Sequence, residues 1–425
     1  MTKLTRRTIL KAAAASAGAV GLAESTRAAS SPNETLNIAC IGVGGRGSAN
    51  VSGLSSQNLL AFVDVDEKRA SGSYQKHPKT QRYLDWRVML DKVGSQLDAV
   101  VISTPDHTHF HPAYAAMNLG LHVYLEKPLA HNVWETRTLT NLAREKKLAT
   151  QLGAQRHAQG NMHRVVELIQ SGAIGKVEEV HSWVGGSRGM PPIPTDKPPV
   201  PDTLNYDLWI GPAEYRPYHP SFCPYGWRFW WDFGTGETGN WGCHILDIPF
   251  WALGLTYPNR VDAEGPEVDP ERSSKSMHVT YQFPTSNQKS PVELHWYHGK
   301  PAILKELGIS DRGNNTLFIG DKGMLVCGFG SRTLLPEEKF KGFKAPEQTI
   351  PDSPGFHNEF ILACRGEEPA TCNFDYSGPL AETVLLGNVA YRTGGFDWDW
   401  KNLETGDNKG AAGLIKEFYR AGWEV

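Results

Sequence analysis

Three glycines set the first chemical constraint on this chain. Gly42, Gly44 and Gly47 form the spacing Gly-x-Gly-x-x-Gly directly after an apolar run, Ile38 to Ile41, that reads as a buried strand. In a βαβ unit the first glycine permits a tight turn, the second lets backbone approach a pyrophosphate, and the third allows close helix–strand packing. The phosphates then sit at a helix N-terminus, where free N–H groups and the helix dipole favour negative charge. Asp64 ends the next apolar run, 22 residues beyond Gly42. A carboxylate there accepts hydrogen bonds from both ribose hydroxyls of an adenosine and repels a 2′-phosphate, which points to NAD. Lys68 and Arg69, next in the chain, keep NADP as the alternative. Asp66 is expected to cap the following helix.

A second group of residues can move a proton. Lys127 lies in Glu126-Lys127-Pro128, immediately after the strand-like run Leu121 to Leu125. A lysine at the carboxyl end of a strand, beside a cationic ring and shielded from water, has its pKa lowered towards the range useful for acid–base catalysis. His244 is expected on a helix, Trp241 to Leu253, with Asp247 at i+3 on the same face to orient the imidazole. Thr104 and Pro105 end another apolar run, Leu97 to Ser103. With His109 they are expected beside the cofactor, where ligands gather at strand carboxyl ends. His107, His109 and His111 alternate without acidic company, and the six cysteines show no Cys-x-x-Cys spacing, so no metal centre is expected. Tyr225 to Phe233 is dense in aromatics and carries Arg228 and Asp232. Ring faces there suit the C–H faces of a pyranose, while the two charges suit its hydroxyls.

These residues need elements to position them. Strands alternating with helices (Ser48 to Leu54, Tyr83 to Leu90, Pro112 to Gly120) predict an α/β, doubly wound parallel sheet over residues 34–155. Residues 156–425 predict an α+β domain. A helix from Asn161 to Ser171 precedes strand-like runs at Val177 to Val184, Met277 to Phe283, Val292 to Tyr297 and Thr316 to Val326. The last contains a hairpin turn, Gly320-Asp321-Lys322-Gly323, and so few intervening helices imply a large, mostly antiparallel sheet. Further helices are expected at His357 to Cys364 and Leu380 to Arg392, and the proline-rich Gly189 to Pro201 reads as a surface loop.

Residues 1–29 are expected to be removed. Thr5-Arg6-Arg7-Thr8-Ile9-Leu10-Lys11, a mildly apolar Ala/Gly stretch and small residues near Ala28 resemble a twin-arginine export signal, which implies a periplasmic or extracytoplasmic location. Residues 1–28 carry five Lys/Arg against one Glu, so the formal charge of −3 leaves −7 on the remainder, which disfavours nucleic acid. No apolar run approaches the roughly 20 residues of a membrane span. A Cys364–Cys372 bridge in an oxidising compartment stays open.

The ordered set Gly42-Val43-Gly44-Gly45-Arg46-Gly47, Asp64-Val65-Asp66, Thr104-Pro105-Asp106-His107-Thr108-His109 and Glu126-Lys127-Pro128-Leu129 resembles the Gfo/Idh/MocA oxidoreductase family. The resemblance continues through Gly242-Cys243-His244-Ile245-Leu246-Asp247 and Gly378 to Asn388. It implies a Rossmann domain binding NAD(P) through Gly42, Gly44, Arg46, Gly47, Asp64, Thr104, Pro105, His109, Glu126 and Lys127. It also implies a substrate domain that assembles a homo-oligomer through its sheet, and hydride exchange with a hydroxyl carbon of a sugar or cyclitol. Lys127 and His244 would be catalytic, and Tyr225, Arg228, Asn240 and Asp247 would bind substrate. Several family members carry Asp where this chain has Asn240, and an amide cannot take up a proton. Two alternatives follow: a glycoside-cleaving or sugar–sugar oxidoreductase with tightly held, recycled NAD, and a carbohydrate-binding protein without catalysis.

Overall fold

A computed structural model of the chain describes residues 35–284 and 291–425. The expected export segment lies outside the described residues. The first sheet contains β1 (Asn37–Ile41), β2 (Asn58–Val63), β3 (Gln81–Tyr83), β4 (Ala99–Ile102), β5 (His122–Leu125) and β6 (Thr150–Leu152), all parallel, in the order β3-β2-β1-β4-β5-β6. Strand order reverses between β1 and β4, which opens a crevice at their carboxyl ends. Central strands covered on both faces must be apolar throughout, and Ile38 to Ile41 and Ala99 to Ile102 are all buried.

The edge of the sheet departs from expectation. Gln81–Tyr83 is a strand, and the helix assigned from Tyr83 begins at Trp86, after Asp85, whose carboxylate accepts from the Arg87 N–H. An edge strand pairs on one side only, so exposed Gln81 and Arg82 carry no apolar signature. Between β5 and β6 runs a helix, Val133–Lys146, opened by a capping box of Asn132 and Glu135.

The second sheet contains β7 (Val177–Val184), β8 (Arg260–Glu264), β9 (Met277–Phe283), β10 (Val292–His298), β11 (Thr316–Gly320), β12 (Gly323–Cys327), β13 (Arg332–Leu335) and β14 (Phe396–Asp397). Their order is β13-β12-β11-β7-β10-β9-β8-β14. Among the described residues of this sheet, only β7 and β10 pair in parallel; Gly320 pairs with Gly323 across the expected hairpin. The helix Phe374–Thr393 packs on β8 and β9 and on Val133–Lys146, so it joins the two sheets into one core. It starts earlier than Leu380 because the Asn373 side chain caps it by accepting from the Tyr376 N–H. Arg137 of the first domain pairs with Glu382 of this helix at 2.7 Å, both largely buried. All six cysteines are buried free thiols, so Cys364 and Cys372 do not pair.

Candidate active site

A cavity of about 680 Å³ opens at the carboxyl edge of the first sheet and is lined by both domains. Its inner wall is the glycine turn. Gly42 has φ +78°, and its N–H donates to the Val63 carbonyl at 2.7 Å. A Cβ on Gly42 would stand 2.8 Å from the Ser103 carbonyl oxygen, one on Gly44 2.9 Å from the Arg69 carbonyl oxygen, and one on Gly47 only 1.9 Å from the Gly42 carbonyl oxygen. The helix Arg46–Gly53 therefore seats directly on the turn, and no side chain caps its start. Such a bare helix start above a cradle that side chains would fill fits a dinucleotide pyrophosphate.

Asp64 lines this end of the cavity. One carboxylate oxygen accepts from the Val43 and Gly44 N–H groups at 2.9 and 3.1 Å, the other from the Asp66 N–H at 3.0 Å. Burial pushes its carboxyl upward, opposed by those three donors. Asp64 thus braces the glycine turn from the position expected for a ribose acceptor. Asp66 caps the helix Glu67–Lys76 through the Lys68 and Arg69 N–H groups. Thr104 and Pro105 line the same wall. Arg46 donates to Glu126 at 3.0 Å, and Glu126 also accepts from Asn50 and Gln155, both at 2.9 Å. Glu126 is accordingly a buried brace that holds Arg46 and the start of the Lys127 turn.

The other end gathers Lys127, Asn240 and His244. The Lys127 ammonium donates to Asn240 Oδ1 at 3.1 Å, and Asn240 Nδ2 donates to Glu237 at 2.8 Å. Glu237 is 1% exposed and takes three bonds from Arg188, one from its backbone N–H at 3.3 Å and two from its guanidinium at 2.7 and 3.1 Å; Arg188 in turn donates to the Tyr225 hydroxyl at 2.7 Å. This chain of charged and polar groups fixes the amide, and the amide aims the lysine. Burial lowers the Lys127 pKa, opposed by Asp106 and Glu126. His244 lines the cavity, and burial, followed by the charges of Lys127, Arg156 and Arg46, pushes its pKa well down, which leaves a neutral imidazole. Its Nδ1 is buried without a hydrogen-bond partner. A buried nitrogen left unpaired in this way costs about 1–3 kcal/mol.

Several expected neighbours are elsewhere. Asp247 does not reach His244: it is fully buried and binds His157 Nδ1 at 3.0 Å and the Tyr376 hydroxyl. The helix expected from Trp241 begins instead as a π turn, Thr238–Gly242, followed by Cys243–Ile245 and Asp247–Leu253. Residues three apart on a helix differ by about 60° in direction, enough for His244 to face the cavity and Asp247 the core. His109 is buried with both ring nitrogens against the carbonyls of Thr104 and Pro128, at 2.9 and 2.8 Å, so it shapes the turn and does not face the cavity. His107 and His111 bind other backbone carbonyls and form no cluster with it. Of the aromatic segment, Tyr225, Trp227 and Arg228 line the cavity together with Trp241. The Arg228 guanidinium lies 4.1 Å from the Trp227 ring centroid and 4.5 Å from that of Tyr225. Trp230 and Phe233 are core, and Asp232 pairs with Arg216 at 3.2 Å. Glu237, Arg188 and Arg156 escaped the sequence reading, because no spacing links them to Lys127.

Comparisons with known proteins agree with this architecture. Residues 36–154 match "Oxidoreductase family, NAD-binding Rossmann fold" and residues 180–425 match "Oxidoreductase family, C-terminal alpha/beta domain". Inositol 2-dehydrogenase 2 of Saccharopolyspora erythraea is 29% identical over 181 residues, 41% of this chain and 52% of that protein. A glycosyl hydrolase family 109 protein of Solibacter usitatus is 31% identical over 160 residues, 33% of this chain and 36% of that protein. The matched stretches span about a third to a half of the length of the curated relatives. Among solved structures, the WlbA dehydrogenase of Chromobacterium violaceum, in complex with NADH and UDP-GlcNAcA, shares the fold with a TM-score of 0.62 at 16% identity, over 87% of this chain and 98% of that one. Matched in order through both domains, the chain belongs to the Gfo/Idh/MocA oxidoreductase family and carries its NAD-binding Rossmann domain.

Proposed function

We propose that the chain is an NAD-dependent oxidoreductase acting on a CH–OH carbon of a sugar, cyclitol or related polyol. The observation that carries this reading is the half-buried Lys127 amine, aimed by Asn240 into a cavity whose far end is the glycine cradle. Bound along Gly42 to Gly47 and Asp64, NAD supplies the carbon that exchanges a hydride with substrate. Lys127 Nζ takes the hydroxyl proton, and its lowered pKa makes the neutral amine accessible. Asn240 holds the amine in direction and takes no proton itself. His244, which lines the cavity, offers its neutral imidazole to a second substrate hydroxyl. Tyr225, Trp227 and Trp241 give ring surfaces for the sugar, and Arg228 gives hydrogen-bond donors. Names among the relatives, three inositol dehydrogenases and a levoglucosan dehydrogenase, support a cyclitol or sugar substrate.

The test is a substrate panel of free polyols, sugars and glycosides with protein lacking residues 1–29, read as reduced nicotinamide formed. No reduction with any CH–OH compound that binds would overturn the simple dehydrogenase. The pH dependence follows from the site. Activity is expected to rise with pH as Lys127 loses its proton and to level off below 10.5, the ordinary lysine value. No step is expected near 6.5, because the His244 pKa lies well below it. A profile of kcat/KM against pH that steps near 6.5 would contradict these roles.

A second reading rests on the relative named as a family 109 glycosyl hydrolase. Transient oxidation of the hydroxyl carbon two positions from the anomeric carbon would acidify the C–H between them, the glycosidic oxygen would leave by elimination, water would add to the resulting alkene, and return of the hydride to the ketone would restore the cofactor. Leaving-group release from an aryl glycoside without net reduced nicotinamide would select this reading. We further propose export by the twin-arginine route, with the cofactor loaded first; replacing Arg6 and Arg7 by Lys is expected to retain the protein in the cytoplasm. Assembly into a homo-oligomer through the second sheet is supported by the half-buried Tyr297, Ile319, Met324 and Leu335 on its outer face. A monomeric mass by light scattering would refute it.

A further inference from the structure

The outer face of the second sheet holds a cluster of ionisable groups that the cavity does not use. β7 and β10 run parallel and in register, so Glu179 pairs with Glu293 and His181 with His295. Each strand carries Glu-x-His, and the period of two places all four side chains on one face. The alternate residues Val180 and Leu294 enter the core from the other face. Two carboxylates directly opposite one another repel, and neighbouring strands seldom keep such a pair without a compensating positive charge. Here the groups set against them are imidazoles. Glu179 Oε1 lies 2.9 Å from His181 Nε2 and 3.6 Å from His295 Nε2, and Glu293 Oε1 lies 3.1 Å from His295 Nε2. A tetrahedral cation with bonds near 2.0–2.1 Å holds its ligands about 3.3 Å apart. The three donor atoms of Glu179, His181 and His295 all lie within 4.8 Å of one another.

Two further observations point to a ligand. His181 Nε2 is buried and, despite the nearby carboxylate, makes no directed hydrogen bond. The opposite nitrogens of both rings are held from behind: His181 Nδ1 by the Tyr297 hydroxyl at 3.0 Å, His295 Nδ1 by Thr280 Oγ1 at 3.2 Å and His278 Nε2 at 3.0 Å. Metal-binding histidines are oriented in this way. In the single chain the carboxylates are 42% and 47% exposed, and they share the face proposed above to join two copies, so a bound cation would lie at or beside that interface.

We propose that Glu179, His181 and His295, with Glu293 as fourth donor, bind one divalent cation of the zinc class that clips β7 to β10. Two imidazoles and two carboxylates suit Zn²⁺ over Ca²⁺ or Mg²⁺, which prefer oxygen alone. The site relieves the carboxylate repulsion and ties together the parallel pair β7–β10.

The test uses the untagged chain, stripped by a chelator and titrated with Zn²⁺, with Co²⁺ as a spectroscopic probe. One equivalent per chain is expected to bind, Zn²⁺ is expected to raise Tm, and Co²⁺ is expected to give the visible absorption of a four-coordinate ion. His295→Gln is expected to weaken Zn²⁺ binding by more than about 100-fold, beyond what loss of a supporting group costs. Lys127→Met is expected to leave it unchanged. Should His295→Gln lower the metal-free Tm, Glu179→Gln, a half-exposed side chain, carries the same test. Absence of saturable binding below millimolar Zn²⁺, or equal affinity in wild type and Glu179→Gln, would overturn the proposal.

Discussion

Lys127→Met is expected to reduce turnover by about 10³- to 10⁴-fold, at the upper end of what a positioned acid–base group contributes. Methionine keeps the length and apolar stem of lysine but has no proton to exchange. The contacts that hold the turn, Glu126 with Arg46, Asn50 and Gln155, do not involve the amine, so NADH affinity should change only a few-fold. Lys127→Arg is expected to fail almost as badly. A guanidinium stays protonated at any working pH and its fork does not fit an acceptor set for one ammonium. Turnover measured beside an NADH fluorescence titration separates the proton role from a binding role. Loss of NADH affinity in proportion to turnover would mean that Lys127 anchors the cofactor and moves no proton.

Gly47→Ala is expected to cost at least about 100-fold in NADH affinity and a loss of about 1–3 kcal/mol in stability, the usual range for overpacking. The added methyl would stand 1.9 Å from the Gly42 carbonyl oxygen, which is backbone and has no rotamer to escape into. Relief requires moving the helix Arg46–Gly53 away from the turn, and that movement opens the cradle. Gly72→Ala is the control: no atom lies within 4 Å of its new Cβ, and Gly72 sits within the helix Glu67–Lys76. There alanine should stabilise by about 0.5–1 kcal/mol. NADH titration and thermal denaturation of both variants check the contrast. Equal NADH affinity in Gly47→Ala and wild type would refute the assignment of the cradle.

The parts of the molecule that could be read from sequence are those set by local rules. The glycine turn announces itself because each glycine answers a separate backbone demand, and the runs feeding β1, β2, β4 and β5 are apolar because both faces are covered. The hairpin at Gly320 to Gly323 and the position of Lys127 at a strand end are equally local. What could not be read depends on partners distant in sequence. Asp247 looked like a helper of His244 by helix spacing, yet a buried carboxylate takes whichever donors the fold brings, here His157 and Tyr376. Arg188 and Glu237 aim Asn240 from a loop and a helix start with no shared motif. The Glu-x-His pairs of β7 and β10 were invisible for the same reason: only the parallel register sets Glu179 beside Glu293 and His181 beside His295.

The central claim is that the cavity between Gly42 and His244 oxidises or reduces a CH–OH carbon under the control of Lys127. Its most direct test is a single turnover: protein loaded with NAD is mixed rapidly with each compound of a polyol and glycoside panel, and the reduced-nicotinamide absorbance is followed. The account predicts that at least one compound produces that absorbance in wild type, transiently if the cofactor is recycled, and that Lys127→Met produces none on the same timescale. Compounds that bind the NAD-loaded protein but never raise the absorbance, or equal rates in wild type and Lys127→Met, would contradict it.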